Sequence, residues 1–236
     1  MRTVGLVGGM SWYSTLEYYR VINEGVQAAR GGHSSAPIAL QSLDFAEVRS
    51  CQLADDWDRA GELLGAAARR CEAGGAEAVM ICTNLMHRVA PAVETAIGIP
   101  LLHIADAIAD RAHAEGWRTL GVIGTRRVME EDFYTGRLRE RGLAVVVPDE
   151  QDRAEADRVI FDELTQGVVT ERSRLRFAGM IGALHERGAD AVVLGCTEIE
   201  LLVRQGDVDV PLLDSMRVHA EAAVTFILGD TGEPAA

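Results

Sequence analysis

The chain reads as one α/β block written twice, and that duplication restricts its fold more than any other feature. Thr3-Val-Gly-Leu-Val-Gly8 is echoed by Thr119-Leu-Gly-Val-Ile-Gly124. Gly75-Ala-Glu-Ala-Val-Met-Ile-Cys82-Thr83 is echoed by Gly188-Ala-Asp-Ala-Val-Val-Leu-Gly-Cys196-Thr197, and Ile99-Pro-Leu-Leu102 by Val210-Pro-Leu-Leu213. The blocks keep their order and nearly their spacing in both halves. Short, continuous apolar runs of this kind are strands buried on both faces, which is the signature of parallel sheets covered by helices.

Between the runs the pattern turns helical, and the alternation predicts an α/β protein of two similar Rossmann-like parallel-sheet domains. Strands are expected at 2–8, 36–43, 77–82 and 99–102, with helices at 11–29, 54–73, 84–96 and 104–115. The second half repeats this with strands at 118–123, 143–147, 190–195 and 210–213. Its helices are expected at 129–141, 151–166, 170–187, briefly after Glu198, and from Ser215 onward; 230–236 reads as a loose tail. The first domain is set at 1–116, completed by the C-terminal helix 214–229, and the second at 117–213. A chain of 236 residues is long enough to bury a core in each.

The chemistry gathers where parallel strands end, because ligands bind beyond the carboxyl ends of such strands. Four segments converge there: Gly8-Gly9-Met10-Ser11, Cys82-Thr83-Asn84, Gly124-Thr125-Arg126 and Cys196-Thr197-Glu198. A single cysteine at a strand end is usually a small core residue. Two at equivalent places, each followed by threonine, point to paired thiols related by a pseudo-two-fold axis across an inter-domain cleft. That pairing suits two-base proton transfer at a carbon. A free thiol titrates near about 8.5, and a helix N-terminus is expected to pull it toward neutrality. Thr83, Asn84, Thr125 and Thr197 suit a bound carboxylate, since they donate hydrogen bonds without titrating. Glu198 reads either as a grip on a substrate ammonium, as an orienter of its neighbour, or as an acid favoured in a helix's first turn. His87 and His103 read as structural or supporting groups rather than bases, and Trp12, Tyr18 and Tyr19 as packing or entrance residues.

Composition removes other classes. All 23 basic residues are arginine, so a pyridoxal Schiff base, lysine aldolase chemistry and a P-loop are closed. No cofactor and no metal are expected: Cys82 and His87 stand without a ligand-spaced partner set, and Gly5-Leu-Val-Gly8-Gly9 lacks full dinucleotide-loop spacing. A net charge of −13 argues against nucleic acid or an anionic membrane as partner. Apolar runs too short to span a bilayer and the lack of a leader-like start make a cytoplasmic location the expectation. Cys51 and Cys71, in helical and charged surroundings, read as structural.

The motifs themselves resemble a known family. Gly8-Gly-Met-Ser-Trp12, Ser42-Leu-Asp-Phe45, Ile81-Cys-Thr-Asn84 with Met86-His87, and Leu102-His-Ile-Ala-Asp106 carry the likeness in the first half. Gly124-Thr-Arg126, Met129-Glu-Glu-Asp-Phe-Tyr134, Gly195-Cys-Thr-Glu-Ile199 and His219-Ala-Glu-Ala222 carry it in the second. The chain resembles the aspartate/glutamate racemase family end to end, in its branch of cofactor-independent bacterial amino-acid racemases. The resemblance implies a homodimer, an amino-acid substrate, catalysis by Cys82 and Cys196, and Met10, Gln52, Thr83, Asn84, Thr197 and Glu198 facing the substrate. Ser11, Leu85 and Thr125 complete the expected binding set. The branch usually has Thr at Leu85 and often Glu at Tyr13, so a hydroxyl near the pocket is missing. Archaeal aspartate racemases of the family grip the second carboxylate with an arginine and a lysine. Here there is no lysine, and Arg49 lies about one residue from that arginine's place. Related reactions on this scaffold (hydantoin racemases, maleate isomerases, arylmalonate decarboxylases) are the enzymatic alternatives. An amino-acid-binding homologue and a thiol-redox sensor are the others.

Overall fold

Two four-stranded sheets form, all of their pairings parallel, and both follow the same strand order. In a computed structural model describing residues 1–229, the first sheet runs β2-β1-β3-β4, with β1 (Val4–Gly8), β2 (Ile38–Ser42), β3 (Ala78–Ile81) and β4 (Leu101–Leu102). The second runs β6-β5-β7-β8, with β5 (Thr119–Gly124), β6 (Ala144–Val146), β7 (Ala191–Gly195) and β8 (Leu212–Asp214). The expected α/β architecture is therefore present, and the matched strand orders are the duplication expressed in topology. The tail expected at 230–236 lies outside the described residues. Among those residues, no helix is long and apolar enough to cross a membrane.

In the first unit the strands are coated by α1 (Trp12–Arg30), α2 (Phe45–Ala54), α3 (Trp57–Ala73) and α4 (Ala90–Ala96). The last helix, α10 (Ser215–Leu228), belongs to this unit from Met216 onward. Alternate strand residues point to opposite faces, and the buried clusters follow that rule. Val4, Leu6, Met80 and then Cys82 are buried with Tyr18, Ile22 and Val26 of α1 and Ala220, Ala223 and Ile227 of α10. Val7, Val79 and Ile81 are buried with Leu64, Ala67, Ala68 and Cys71 of α3. Each such large apolar side chain contributes roughly 1.5–3 kcal/mol on burial. Cys71 is a packing residue, as expected: its Sγ donates to Ala39 O at 3.3 Å, and burial pushes the thiol up to about 11.

Several helices differ from expectation for local reasons. The helix expected at 54–73 begins at Trp57, and α2 precedes it as a separate element. Asp55 stops α2 in the left-handed conformation (φ 56°), and the Asp56 carboxylate caps α3 by accepting from Arg59 N at 3.0 Å. Asp adopts such a conformation more readily than most residues. The helix expected at 84–96 opens as a 3₁₀ turn, Leu85–Val89, and turns α-helical only where Pro91 occupies an early helical position. Proline lacks the donor that an interior position needs but fits the start of a helix. The helix expected at 129–141 is two short ones, α6 (Arg126–Glu130) and α7 (Thr135–Glu140).

The second unit holds α6, α7, α8 (Glu150–Asp162) and α9 (Glu171–Glu186). Its buried face combines Ile123, Val192 and Leu194 with Ile160, Phe177, Ile181 and Leu184. α5 (Ile104–Ala114) falls in this unit too, since the compact units divide at Ile104/Ala105 and Ser215/Met216 rather than at 116/117 and 213/214. Ion pairs link α5 to this unit: Asp106 accepts two bonds from Arg137, at 3.0 and 2.6 Å, and Asp110 pairs with Arg141. Both arginines lie on or just past α7.

Candidate active site

In the first unit the candidate residues lie on the turns that follow β1 and β3. Gly9 adopts φ +88°, and a Cβ there would stand 2.1 Å from Leu43 O, so only glycine lets this turn lie against the end of β2. Thr15 holds the turn from the other side. Its Oγ1 accepts from Gly9 N at 2.9 Å and donates to Ser11 O at 3.1 Å. Ser11 then serves as the cap of α1, its hydroxyl accepting from Ser14 N at 3.4 Å. Met10, expected at the substrate, is buried in the α3-side core with Cys51 and Met86.

Cys82 extends the β3 ladder by one step, its N–H donating to Val7 O at 2.9 Å. The chain then turns at once, with Thr83 N donating to Ile81 O at 2.9 Å. Cys82 is 1% exposed, on the face shared by α1 and α10, and no side-chain hydrogen bond holds its Sγ among the described residues. Burial drives its thiol far above the ordinary cysteine range. The expected lowering by a helix N-terminus is therefore not found. A five-residue 3₁₀ turn supplies little dipole, whereas desolvation penalises the thiolate strongly. Beyond the turn, Asn84 is buried, Thr83 and Leu85 are half-buried, and Gln52 reaches over from α2. Gln52 Oε1 accepts from Arg49 at 3.0 Å while its amide donates to Met86 Sδ at 3.1 Å, a weak acceptor.

The second unit repeats the plan with different polar groups. Gly124 of β5 pairs in register with Gly195 of β7, so Thr125 and Cys196 leave the sheet side by side. A Cβ on Gly195 would stand 3.1 Å from Val128 Cγ1 and 3.2 Å from Ile123 O, which explains the glycine before this cysteine. Thr125 caps α6 through its backbone, and its hydroxyl is buried without a hydrogen-bond partner. Cys196 Sγ donates to Glu198 Oε2 at 3.0 Å, and Thr197 Oγ1 donates to the same oxygen at 2.9 Å. Although the residue keeps some exposure, enclosure by protein is the largest cause of its raised thiol, followed by the Glu198 charge. Asp157, which sequence reasoning did not single out, accepts from Arg126 N at 2.7 Å and adds to that rise.

Thr15 and His219, to which no role was assigned, also lie at the first half-site, together with Tyr18, read as a packing or entrance residue and completely buried. Tyr18 OH meets His219 Nδ1 at 2.9 Å, and His219 Nε2 meets Leu102 O at 2.7 Å. Trp12 and Tyr19, read as packing or entrance residues, are about half exposed. Among the described residues, no group of three His, Cys, Asp or Glu side chains could hold a metal ion.

Comparison with known proteins gives one consistent outcome. A profile of the Asp/Glu/Hydantoin racemase family matches residues 7–223. A Yersinia pestis structure, provisionally described as an Asp/Glu racemase, is 45% identical, with TM-score 0.93, covering 97% of this chain and 100% of its own. An aspartate racemase homologue from Pyrococcus horikoshii is 30% identical, with TM-score 0.84 and coverage of 97% and 100%. Glutamate racemase from Francisella tularensis, in complex with D-glutamate, shares the fold at 14% identity, TM-score 0.64 and coverage of 96% and 81%.

Proposed function

This chain belongs to the Asp/Glu/Hydantoin racemase family, and on that premise we propose that it interconverts the enantiomers of an amino acid through Cys82 and Cys196, without a cofactor. One observation carries the reading. Each unit sets a single thiol one residue beyond the equivalent strand, β3 or β7, beside a turn rich in neutral hydrogen-bond donors.

Inversion requires one group to remove the α-proton and another to deliver a proton to the opposite face. Both thiols are neutral at rest, because burial holds them protonated, so a thiolate has to be made within the protein. Cys196 has the means. Its S–H bond breaks toward Glu198 Oε2, and an O–H bond forms there. The thiolate then takes the α-proton, and the electron pair left on the α-carbon spreads into the substrate carboxylate. Cys82 delivers its proton to the other face and becomes the thiolate, ready for the reverse passage. Thr83, Asn84 and Thr125 supply donors for the carboxylate as charge builds on it. The unpartnered Thr125 hydroxyl is the clearest of these, since a buried donor without an acceptor carries a desolvation cost that a bound carboxylate removes.

Aspartate and glutamate are the first substrates to try. Neutral amino acids belong in the same panel, because Leu85 offers no hydroxyl and the chain has no lysine. The test is proton NMR in D₂O, following loss of the α-proton from L- and D-amino acids, for the wild type beside Cys82→Ser and Cys196→Ser. Each replacement should slow interconversion by roughly 10²–10⁴-fold while leaving exchange from one enantiomer less affected. Absence of exchange from every amino acid that binds would sink the proposal.

A further inference from the structure

Beneath the Cys82 turn lies a fully buried cluster of three histidines and a tyrosine that the proposed reaction does not use. His87, His103 and His219 are each no more than 3% exposed, and Tyr18 is completely buried. The His87 ring centroid stands 4.4 Å from that of His103 and 5.6 Å from that of His219.

The hydrogen bonds fix which nitrogens carry protons. Thr83 O, 2.8 Å from His87 Nδ1, can only accept, so Nδ1 is the protonated nitrogen. Ile104 N donates to His87 Nε2 at 3.2 Å, so Nε2 is the bare one. The same logic applies to His219, whose Nε2–H donates to Leu102 O and whose Nδ1 accepts from Tyr18 OH. Both rings are thus neutral single tautomers with both nitrogens engaged. A second proton on His87 would set two N–H groups head to head at Ile104.

What these bonds join gives the cluster its meaning. Thr83 is the residue after Cys82. Leu102, His103 and Ile104 are the last residues of the first unit before the chain leaves it, and His219 sits one turn into α10, where the chain returns. At the Cys82 turn, the His87 ring is the side chain bonded to the backbone carbonyl of the residue that follows the thiol.

We propose that His87 is a positioning residue that aims the Cys82 thiol, clamping the Thr83 carbonyl to the exit segment at Ile104. The proposal rests on the racemase reading for its kinetic consequence but not for its structural one. Burial, and after it the neighbouring imidazoles, push the His87 ring strongly toward its neutral form, as the clamp requires.

The two halves of the clamp are separable. In His87→Asn the amide nitrogen replaces Nδ1 and keeps the bond to Thr83 O. In His87→Gln the amide oxygen replaces Nε2 and keeps the acceptor for Ile104 but loses the turn. The Gln variant should lose kcat by on the order of a hundredfold, the scale for a misplaced reacting group, with KM changed far less, and the Asn variant should recover most of it. Amide hydrogen exchange over residues 81–86, read by mass spectrometry without substrate, should quicken in Gln and stay slow in Asn. Equal kcat losses in the two variants, or exchange that quickens equally, would overturn the proposal. Should a variant fail to fold, ¹⁵N imidazole spectra of the wild type decide: a His87 ring protonated at Nε2 refutes the clamp. If the wild type exchanges no α-proton, the racemase reading falls while the exchange and tautomer measurements still judge His87.

Discussion

Replacing Glu198 by glutamine tests the proton chemistry most sharply, because the substitution has two opposite effects. The carboxylate lies 3.0 Å from Cys196 Sγ and raises that thiol after burial has already done so. If the charge were only an obstacle to thiolate formation, removing it would favour the thiolate and speed the reaction. If Glu198 takes the thiol's proton, the amide leaves that proton with nowhere to go. A positioned base is worth about 10²–10⁴-fold, so Glu198→Gln should slow Cys196-dependent exchange at least about a hundredfold, or ~3 kcal/mol of barrier. The assay is α-proton exchange in D₂O from each enantiomer, across pH. Alongside it, the rate of Cys196 alkylation against pH, followed by mass spectrometry, should show the thiol titrating at lower pH in the variant. An exchange rate that is unchanged or faster, together with that lowered titration, would leave Glu198 an electrostatic bystander and refute the base.

The remaining expectations rest on single groups. Thr125→Val removes a buried hydroxyl that has no partner, so stability should hold or rise by about 1 kcal/mol. KM should increase in the same variant, as melting and exchange kinetics will show. The His219 ring is held at about 4 by burial, against an ordinary 6.5. As pH falls below 6.5 the unfolded chain therefore binds this proton first, and stability present above 6.5 is lost progressively down to about 4. The loss is about 3 kcal/mol from this ring, and His87, shifted the same way, adds to it. Urea unfolding at pH 7 and pH 5 measures the difference, and a midpoint that does not fall at pH 5 would contradict the buried neutral rings.

The strands were legible because their apolar runs are continuous, and two equivalent runs, those of β3 and β7, each end at a cysteine. What escaped was local or distant. α2 buries only Val48 and Cys51, too few positions to raise a helical stripe above background. Its start was nonetheless written in Asp44, whose carboxylate accepts from Ala46 N at 2.9 Å, and its end in Asp55. The helix read across 84–96 broke where Pro91 set a new start. His219 stood in a family motif, but its contacts were invisible, since its partners Tyr18 and Leu102 lie 201 and 117 residues away. Asp157 reaches the second half-site from 31 residues beyond Arg126. Spacing patterns report contacts along one element, and side chains supplied by a second element leave no such trace.

The two half-sites share a backbone plan and differ in proton chemistry, and the residues after each cysteine account for that difference. Duplication preserved the strand and the Cys-Thr pair that follows it, while the 3₁₀ turn begins at Leu85 after Cys82 and at Thr197 directly after Cys196. The side chains past the threonine diverged. After Cys82 comes His87, whose ring bonds the Thr83 carbonyl; after Cys196 comes a carboxylate bonded directly to the thiol. A thiol enclosed by apolar neighbours is a competent proton donor and an unwilling acid toward solvent. A thiol beside a carboxylate can shed its proton internally without changing the net charge of the site. On the proposed mechanism a turnover starts with one thiol of each kind, and the unequal flanks would supply it. The consequence is directional. The enantiomer whose α-proton faces Cys196 should exchange with a weaker dependence on solvent pH than its mirror image, because its base is generated within the protein. Equal pH profiles for the two enantiomers would mean that both thiols draw their ionisation from the bound substrate, and the asymmetry of the flanks would then be structural alone.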